Sequence, residues 1–112
     1  MNQVVLVGRL ASDPEVKTSE NGKKYTYINV AVPRSFKNSD GLYETDFIRC
    51  VLWNGVASST SEYCKTGDVI GIKGRLQNRS YEDEKEEKKY ITEVVAERVS
   101  FISSNKKNDK DK

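Results

Sequence analysis

The stretch DVIGIKGRLQNRSY, residues 68–81, has the two-residue period of a half-buried strand. Ile70, Ile72 and Leu76 fall on one face, and Lys73, Arg75, Gln77, Arg79 and Tyr81 fall on the other. Gly71 and Gly74 interrupt the run. Glycine inside a strand marks a bulge or the tight bend of a barrel corner.

Downstream, residues 82–89 alternate charge and carry no apolar side chain, which predicts a solvated hairpin tip. A partner strand follows over residues 90–102, and residues 103–112 read as a disordered polar tail. Upstream, Lys65 and Gly67 stop a short amphipathic helix over residues 56–63, weak because it is serine-rich. Tyr63 reads as the ring that packs this helix on the body of the fold. Residues 45–53 form a strand, preceded by a polar loop over residues 35–44 centred on Asp40-Gly41. Residues 24–32 and 3–10 form two more strands, bounded by Pro33, by the Asn21-Gly22 turn and by Asp13-Pro14. The order predicts an all-β chain: a five-stranded OB-fold barrel with one short helix between strands 3 and 4. One domain over residues 1–102 accounts for it.

Composition limits what such a barrel can do. The 112 residues are 36% hydrophobic, enough for a working core but not a generous one, so oligomerisation would help. The net charge is only +2. Residues 1–81 nevertheless hold eleven Lys/Arg against eight Asp/Glu, while residues 82–97 are acidic. Local patches must carry any electrostatic argument. With no histidine there is no imidazole base, and no Gly-rich phosphate loop is visible, so an enzyme is not expected. Cys50 and Cys64 are too far apart to suggest zinc and read as buried free thiols. No metal or other cofactor is expected. The opening residues show no targeting signal or membrane span, which points to a reducing cytoplasm.

The strand over residues 45–53 supplies the functional hint. Ile48, Cys50 and Leu52 share one face; Phe47, Arg49, Val51 and Trp53 share the other. Arginine is rarely buried alone, so Arg49 marks its face as accessible and brings Phe47 and Trp53 with it. Phe36 lies on the preceding hairpin between Arg34 and Lys37. Rings interleaved with cations suit single-stranded nucleic acid: bases stack on the rings while Lys and Arg follow the phosphates. Single aromatics on strands are most often core residues; the shared phase with Arg49, repeated on the next strand, favours a binding face. Tyr25, Tyr27, Tyr63 and Tyr90 read as structural. A purely structural or oligosaccharide-binding OB module is the rival reading, and stacking alone does not separate DNA from RNA.

The chain resembles bacterial single-stranded DNA-binding proteins. The resemblance rests on Val5-Leu6-Val7-Gly8-Arg9-Leu10 with Asp13-Pro14-Glu15-Val16, then Cys50-Val51-Leu52-Trp53, Ser61-Glu62-Tyr63 and Lys65-Thr66-Gly67-Asp68. Gly74-Arg75-Leu76, Arg79-Ser80-Tyr81 and Tyr90-Ile91-Thr92-Glu93-Val94-Val95 complete the collinear set. It implies sequence-independent binding and protection of single-stranded DNA in replication, recombination and repair. It places base stacking on Phe36, Phe47, Trp53 and Tyr81. It places phosphate contacts on Arg49, Lys73, Arg75 and Arg79, to which the hairpin adds Arg34 and Lys37. It further implies a homotetramer, a dimer of dimers built partly through Val4, Val5, Leu6 and Val7. Many relatives recruit replication and repair proteins through an acidic C-terminal tip. The run Asn108-Asp109-Lys110-Asp111-Lys112 does not resemble one. A dimeric, primosomal-type docking protein is the rival binding reading.

Overall fold

The computed structural model describes residues 1–104. Six strands and one helix follow in the order β1 (Val4–Leu10), β2 (Lys17–Thr18), β3 (Lys24–Lys37), β4 (Tyr43–Trp53), α1 (Asn54–Tyr63), β5 (Val69–Glu82) and β6 (Lys88–Ser103). The strands hydrogen-bond in the order β1-β5-β6-β4-β3-β2, and β1 also pairs with β3. That last pairing, Arg9 with Ala31 and Leu10 with Val30, closes β1, β5, β6, β4 and β3 into a five-stranded barrel. The two-residue β2 is an addition to the expected order and hangs on the start of β3 through Lys17–Tyr25 and Thr18–Lys24. The helix occupies the expected place, between the strands over residues 45–53 and 68–81.

Alternation explains the core. Ile28, Val30, Cys50, Leu52, Ile70, Ile72 and Val94 point inward and are essentially inaccessible. Each large aliphatic side chain so buried contributes roughly 1.5–3 kcal/mol. The helix closes the barrel with Ala57 and Thr60. Its N-cap, Trp53, makes no side-chain capping bond, so burial of Ala57 holds what propensity does not. Tyr63 departs from expectation: it is 67% exposed, because the helix turns Ala57 and Thr60, not its last residue, toward the barrel. Both cysteines are buried and free, and desolvation pushes the Cys50 thiol up to about 12.

The two glycines of β5 have different roles. A Cβ on Gly74 would lie 2.1 Å from the Val95 carbonyl oxygen. The ladder slips beside it, pairing Lys73 with Arg98 but Gly74 with Ala96, which leaves Glu97 as the bulged residue. Gly71 sits in regular pairing with room for a Cβ. Beyond Gly74 the strand leaves the barrel wall. Leu76, expected inside, is therefore 48% exposed, and its backbone N–H and C=O are bonded by the Asn2 side chain.

The hairpins are longer than the sequence predicts. Pairing of β3 with β4 runs through Pro33–Thr45 and, past a bulge, to Lys37–Tyr43, so half of the loop expected over residues 35–44 is strand. Pro33 is tolerated because it borders the bulge. The turn is tight because the Asn38 side-chain oxygen accepts from the Asp40 and Leu42 N–H groups. Asp83 closes the β5–β6 hairpin the same way, accepting from the Lys85 and Glu87 N–H groups. At the C-terminal end, β6 runs to Ser103, and the rest of the expected tail, beyond residue 104, lies outside the described residues.

Candidate nucleic-acid interface

The outward face of β3 and β4 is built by cross-strand register. Tyr25 stands opposite Trp53, Tyr27 opposite Val51, Asn29 opposite Arg49 and Ala31 opposite Phe47. The rings form a continuous group. Tyr25 and Trp53 are tilted against each other with centroids 5.4 Å apart, and Tyr27 meets Tyr25 edge-on at 6.0 Å. The Arg49 guanidinium lies over the Tyr27 ring, 4.1 Å from its centroid. Phe47 continues the row and is exposed.

Val51 shares this face yet is buried. The parallel pairing of β4 with β6 puts Val95 beside it, and Tyr27 flanks it on β3. Val95 is buried as well, so the centre of the outer face is a second, smaller apolar patch flanked by Tyr27. Arg75 pairs with Val95 from β5, and Gln77, Arg79 and Tyr81 continue outward along the β5–β6 hairpin. One face thus runs across β3, β4, β6 and β5. Phe36 and Lys37 lie toward the end of the β3–β4 hairpin, where the Lys37 ammonium sits 5.8 Å from the Tyr43 ring centroid.

The basic residues are not equally free. The Arg34 fork donates to both oxygens of Asp46 at 3.0 Å and lies 3.3 Å from Glu44. That bond holds the Asp46 carboxyl below its usual range and raises Arg34 further. Arg75 donates to Glu97 at 3.1 Å and to Gln77 at 3.2 Å. Arg79 reaches the buried Glu93 at 3.5 Å. Arg49 and Lys73 make no ion pair among the described residues. Lys73 is set apart, pairing with Val5 of β1 and Arg98 of β6, with no β4 residue in register.

The sequence reading singles out the β4 row and leaves its neighbours aside. Tyr25 and Tyr27, read as structural, lie in the same ring group as Trp53 and Arg49. Their phase opposite Ile28 and Val30 was visible, but the strand they would face was not. Glu93, a buried carboxylate on the same face, left no signal, since an isolated glutamate in a strand reads as a solvated position.

Along β1, Val4 and Leu6 pack against the core while Val5 and Val7 are exposed. One edge of β1 pairs with β5 from Val4 to Arg9, whereas the other meets β3 only at Arg9 and Leu10. The first half of β1 thus has an open edge.

Among the described residues, no group of three or more His, Cys, Asp or Glu is placed to hold a metal ion. No described helix is long and apolar enough to cross a membrane.

Comparison with known proteins agrees with this geometry. The model of the single-strand binding protein family matches residues 1–102. Single-stranded DNA-binding protein B of Bacillus subtilis (strain 168) is 45% identical over 101 residues, covering 90% of this chain and 89% of that protein. Single-stranded DNA-binding protein 1 of Lactococcus lactis subsp. lactis (strain IL1403) is 44% identical over 106 residues, covering 95% and 71%. Single-stranded DNA-binding protein A of Bacillus subtilis (strain 168) is 43% identical over 102 residues, and there the match spans 59% of the relative's length. With its barrel, its ring-bearing outer face and these relatives, the chain belongs to the single-strand binding protein family.

Proposed function

We propose that this protein binds and protects single-stranded DNA, without reading its sequence, on the outer face that β3, β4, β6 and β5 share. The observation that carries the proposal is the contiguous group of Tyr25, Tyr27, Trp53 and Arg49, with Phe47 beside it. Every base has a flat π-face, so stacking on Phe47 and Trp53 is indifferent to base identity. Phe36 and Tyr81, 64% and 47% exposed on the two hairpins, extend the stacking path beyond the barrel. Lys37, Arg49, Arg75 and Arg79 lie where phosphates would run, with Lys73 and Arg34 at the margins. Duplex DNA hides its base faces and is a poor ligand for such a surface. No step of chemistry belongs to this activity: it is binding, driven by stacking and by release of cations condensed on the strand.

The test uses Trp53, the single tryptophan of the chain. Titration with oligo-dT quenches its fluorescence, a duplex of equal length does not, and added salt weakens the effect. A folded protein whose Trp53 responds to neither ligand places the DNA elsewhere.

The same reading extends to assembly and setting. The open edge of β1 and the exposed Val5 and Val7 fit a second copy of the chain, the first step toward a homotetramer built as a dimer of dimers. The bacterial relatives fit work in the cytoplasm, on the nucleoid, in replication, recombination and repair.

A further inference from the structure

The proposed DNA face carries carboxylates where a polyanion must land. Glu93 is the clearest. It faces Gln77 across the β5–β6 ladder and is diagonal to Arg79, whose guanidinium it holds at 3.5 Å. On its other side, the parallel β4–β6 ladder begins with Cys50–Val94, one step beyond Arg49 and Glu93. Glu93 thus stands on the strand between those that carry Arg49 and Arg79, with its side chain only 4% exposed. Glu97, the bulged residue of β6, takes Arg75 at 3.1 Å. Asp46, in the phase of Ile48 and Cys50 and so off this face, takes both arms of Arg34.

In each case the arginine stays reachable. The side chains of Arg34, Arg75 and Arg79 are 42%, 42% and 41% exposed. A phosphate approaching such a pair meets a cation whose charge is already partly offset and some of whose donors are in use. Partly exposed ion pairs are weak, so a phosphate displaces or shares them, but it gains less than it would from a bare guanidinium.

We propose that Glu93 and Glu97 are internal counter-ions that hold down the affinity of this face for single-stranded DNA, by competing with phosphates for Arg79 and Arg75. The inference rests on the DNA-binding face described above. It explains why a chain with several arginines on one surface need not hold a strand so tightly that it cannot let go. The carboxylates tune release, and Arg49, without an ion pair among the described residues, supplies uncompensated charge.

The test is Glu93→Gln and Glu97→Gln, singly and combined, with labelled oligo-dT titrated across a range of salt. The amides keep shape and still accept an N–H from arginine, so charge changes while positioning is retained. Each single variant binds oligo-dT about two- to fivefold more tightly at low salt. Each steepens the salt dependence, by about 0.7 in the log–log slope for every charge removed. Glu62→Gln, on the exposed part of α1, changes net charge equally and leaves affinity alone. Unchanged or weaker binding by both variants overturns the proposal, as does equal tightening by Glu62→Gln. Thermal melts run alongside, and the exposed Glu97 carries the test if Glu93→Gln fails to fold. Phe47→Ala and Trp53→Ala in the same assay separate the two ideas. If they lose binding and the amide variants do not tighten, this inference alone fails. If they bind normally, the face is wrong and the inference falls with it.

Discussion

The guanidinium of Arg49 and the ring of Tyr27 come from neighbouring strands and lie 4.1 Å apart, centre to centre. The contact fixes a long, flexible cation in the middle of the outer face, and it depends on a flat π-surface beneath. Tyr27→Leu keeps the apolar cover over Val51 but removes the surface on which Arg49 rests. Affinity for oligo-dT then falls by about two- to fivefold, the equivalent of roughly 0.5–1 kcal/mol for a cation–π contact at an accessible site. Tyr27→Phe, which keeps the ring, binds as the native chain does, by fluorescence titration.

Phe47 and Trp53 differ in what else they do. Phe47 is 67% exposed and has no ring partner among the described residues, so Phe47→Ala leaves the melting temperature almost unchanged. Trp53 packs on Tyr25, and Trp53→Ala lowers stability by about 1 kcal/mol. Both variants lose about 1–3 kcal/mol of binding to oligo-dT. Paired titrations and thermal melts check this. A purely structural face predicts the reverse pattern: unfolding without specific loss of binding.

Acid sensitivity is predicted at the other end of the barrel. The Asp13 carboxylate accepts from the Thr66 N–H at 2.8 Å and from the Thr66 hydroxyl at 2.7 Å, bracing the segment after β1 against the loop before β5. The backbone bond chiefly, and the hydroxyl next, hold its pKa below the ordinary 3.8. A carboxyl depressed on folding stabilises the native state above its unfolded pKa, and the contribution is lost as pH falls through the native value. Melting temperature therefore drops as the medium is acidified below about 4. Asp13→Asn melts lower at neutral pH, and its decline on acidification is shallower.

The two glycines of β5 separate cleanly in the denaturation of point variants. Gly74→Ala drives a methyl into the Val95 carbonyl and destabilises by about 1–3 kcal/mol or more. Gly71→Ala, whose nearest neighbour would be the Ile102 side chain at 3.5 Å, stays within about 1 kcal/mol of the native chain.

Assembly is checked by light scattering. Val7→Glu puts a charge on the exposed face of β1 without touching the core side chains Val4 and Leu6. If copies join through this edge, the variant has a smaller solution mass and keeps its fold by circular dichroism. An unchanged mass assigns assembly to another surface.

The barrel was legible because its inner face obeys a two-residue period in strand after strand: Ile28 with Val30, Cys50 with Leu52, Ile70 with Ile72. Each pair marks which way its strand faces before any partner is known. Legibility ended where a position depends on a neighbour distant in sequence. Val51 is exposed by phase and buried in fact, since Tyr27 and Val95 flank it. Leu76 is buried by phase and exposed in fact, since β5 has left the wall by then. The long β3–β4 hairpin was hidden because its polar residues look like a loop while Asn38 and the ladder hold them as a strand. Of the site, the β4 row declared itself through Arg49. The β3 tyrosines and the carboxylates of β6 needed the cross-strand register.

Val51 and Val95 have one more consequence. Because these two side chains are packed into the outer face beside Tyr27, the Tyr27–Tyr25–Trp53 group borders a close-packed patch instead of bare backbone. Their rotational freedom is given up when the chain folds, not when a nucleotide arrives. A base that lands on Trp53 finds a surface already shaped, and the entropic penalty of ordering that surface is small. What discriminates between ligands is then the ligand's own stiffness: a strand free to unstack and follow the curve is accepted, and one locked in a duplex is not.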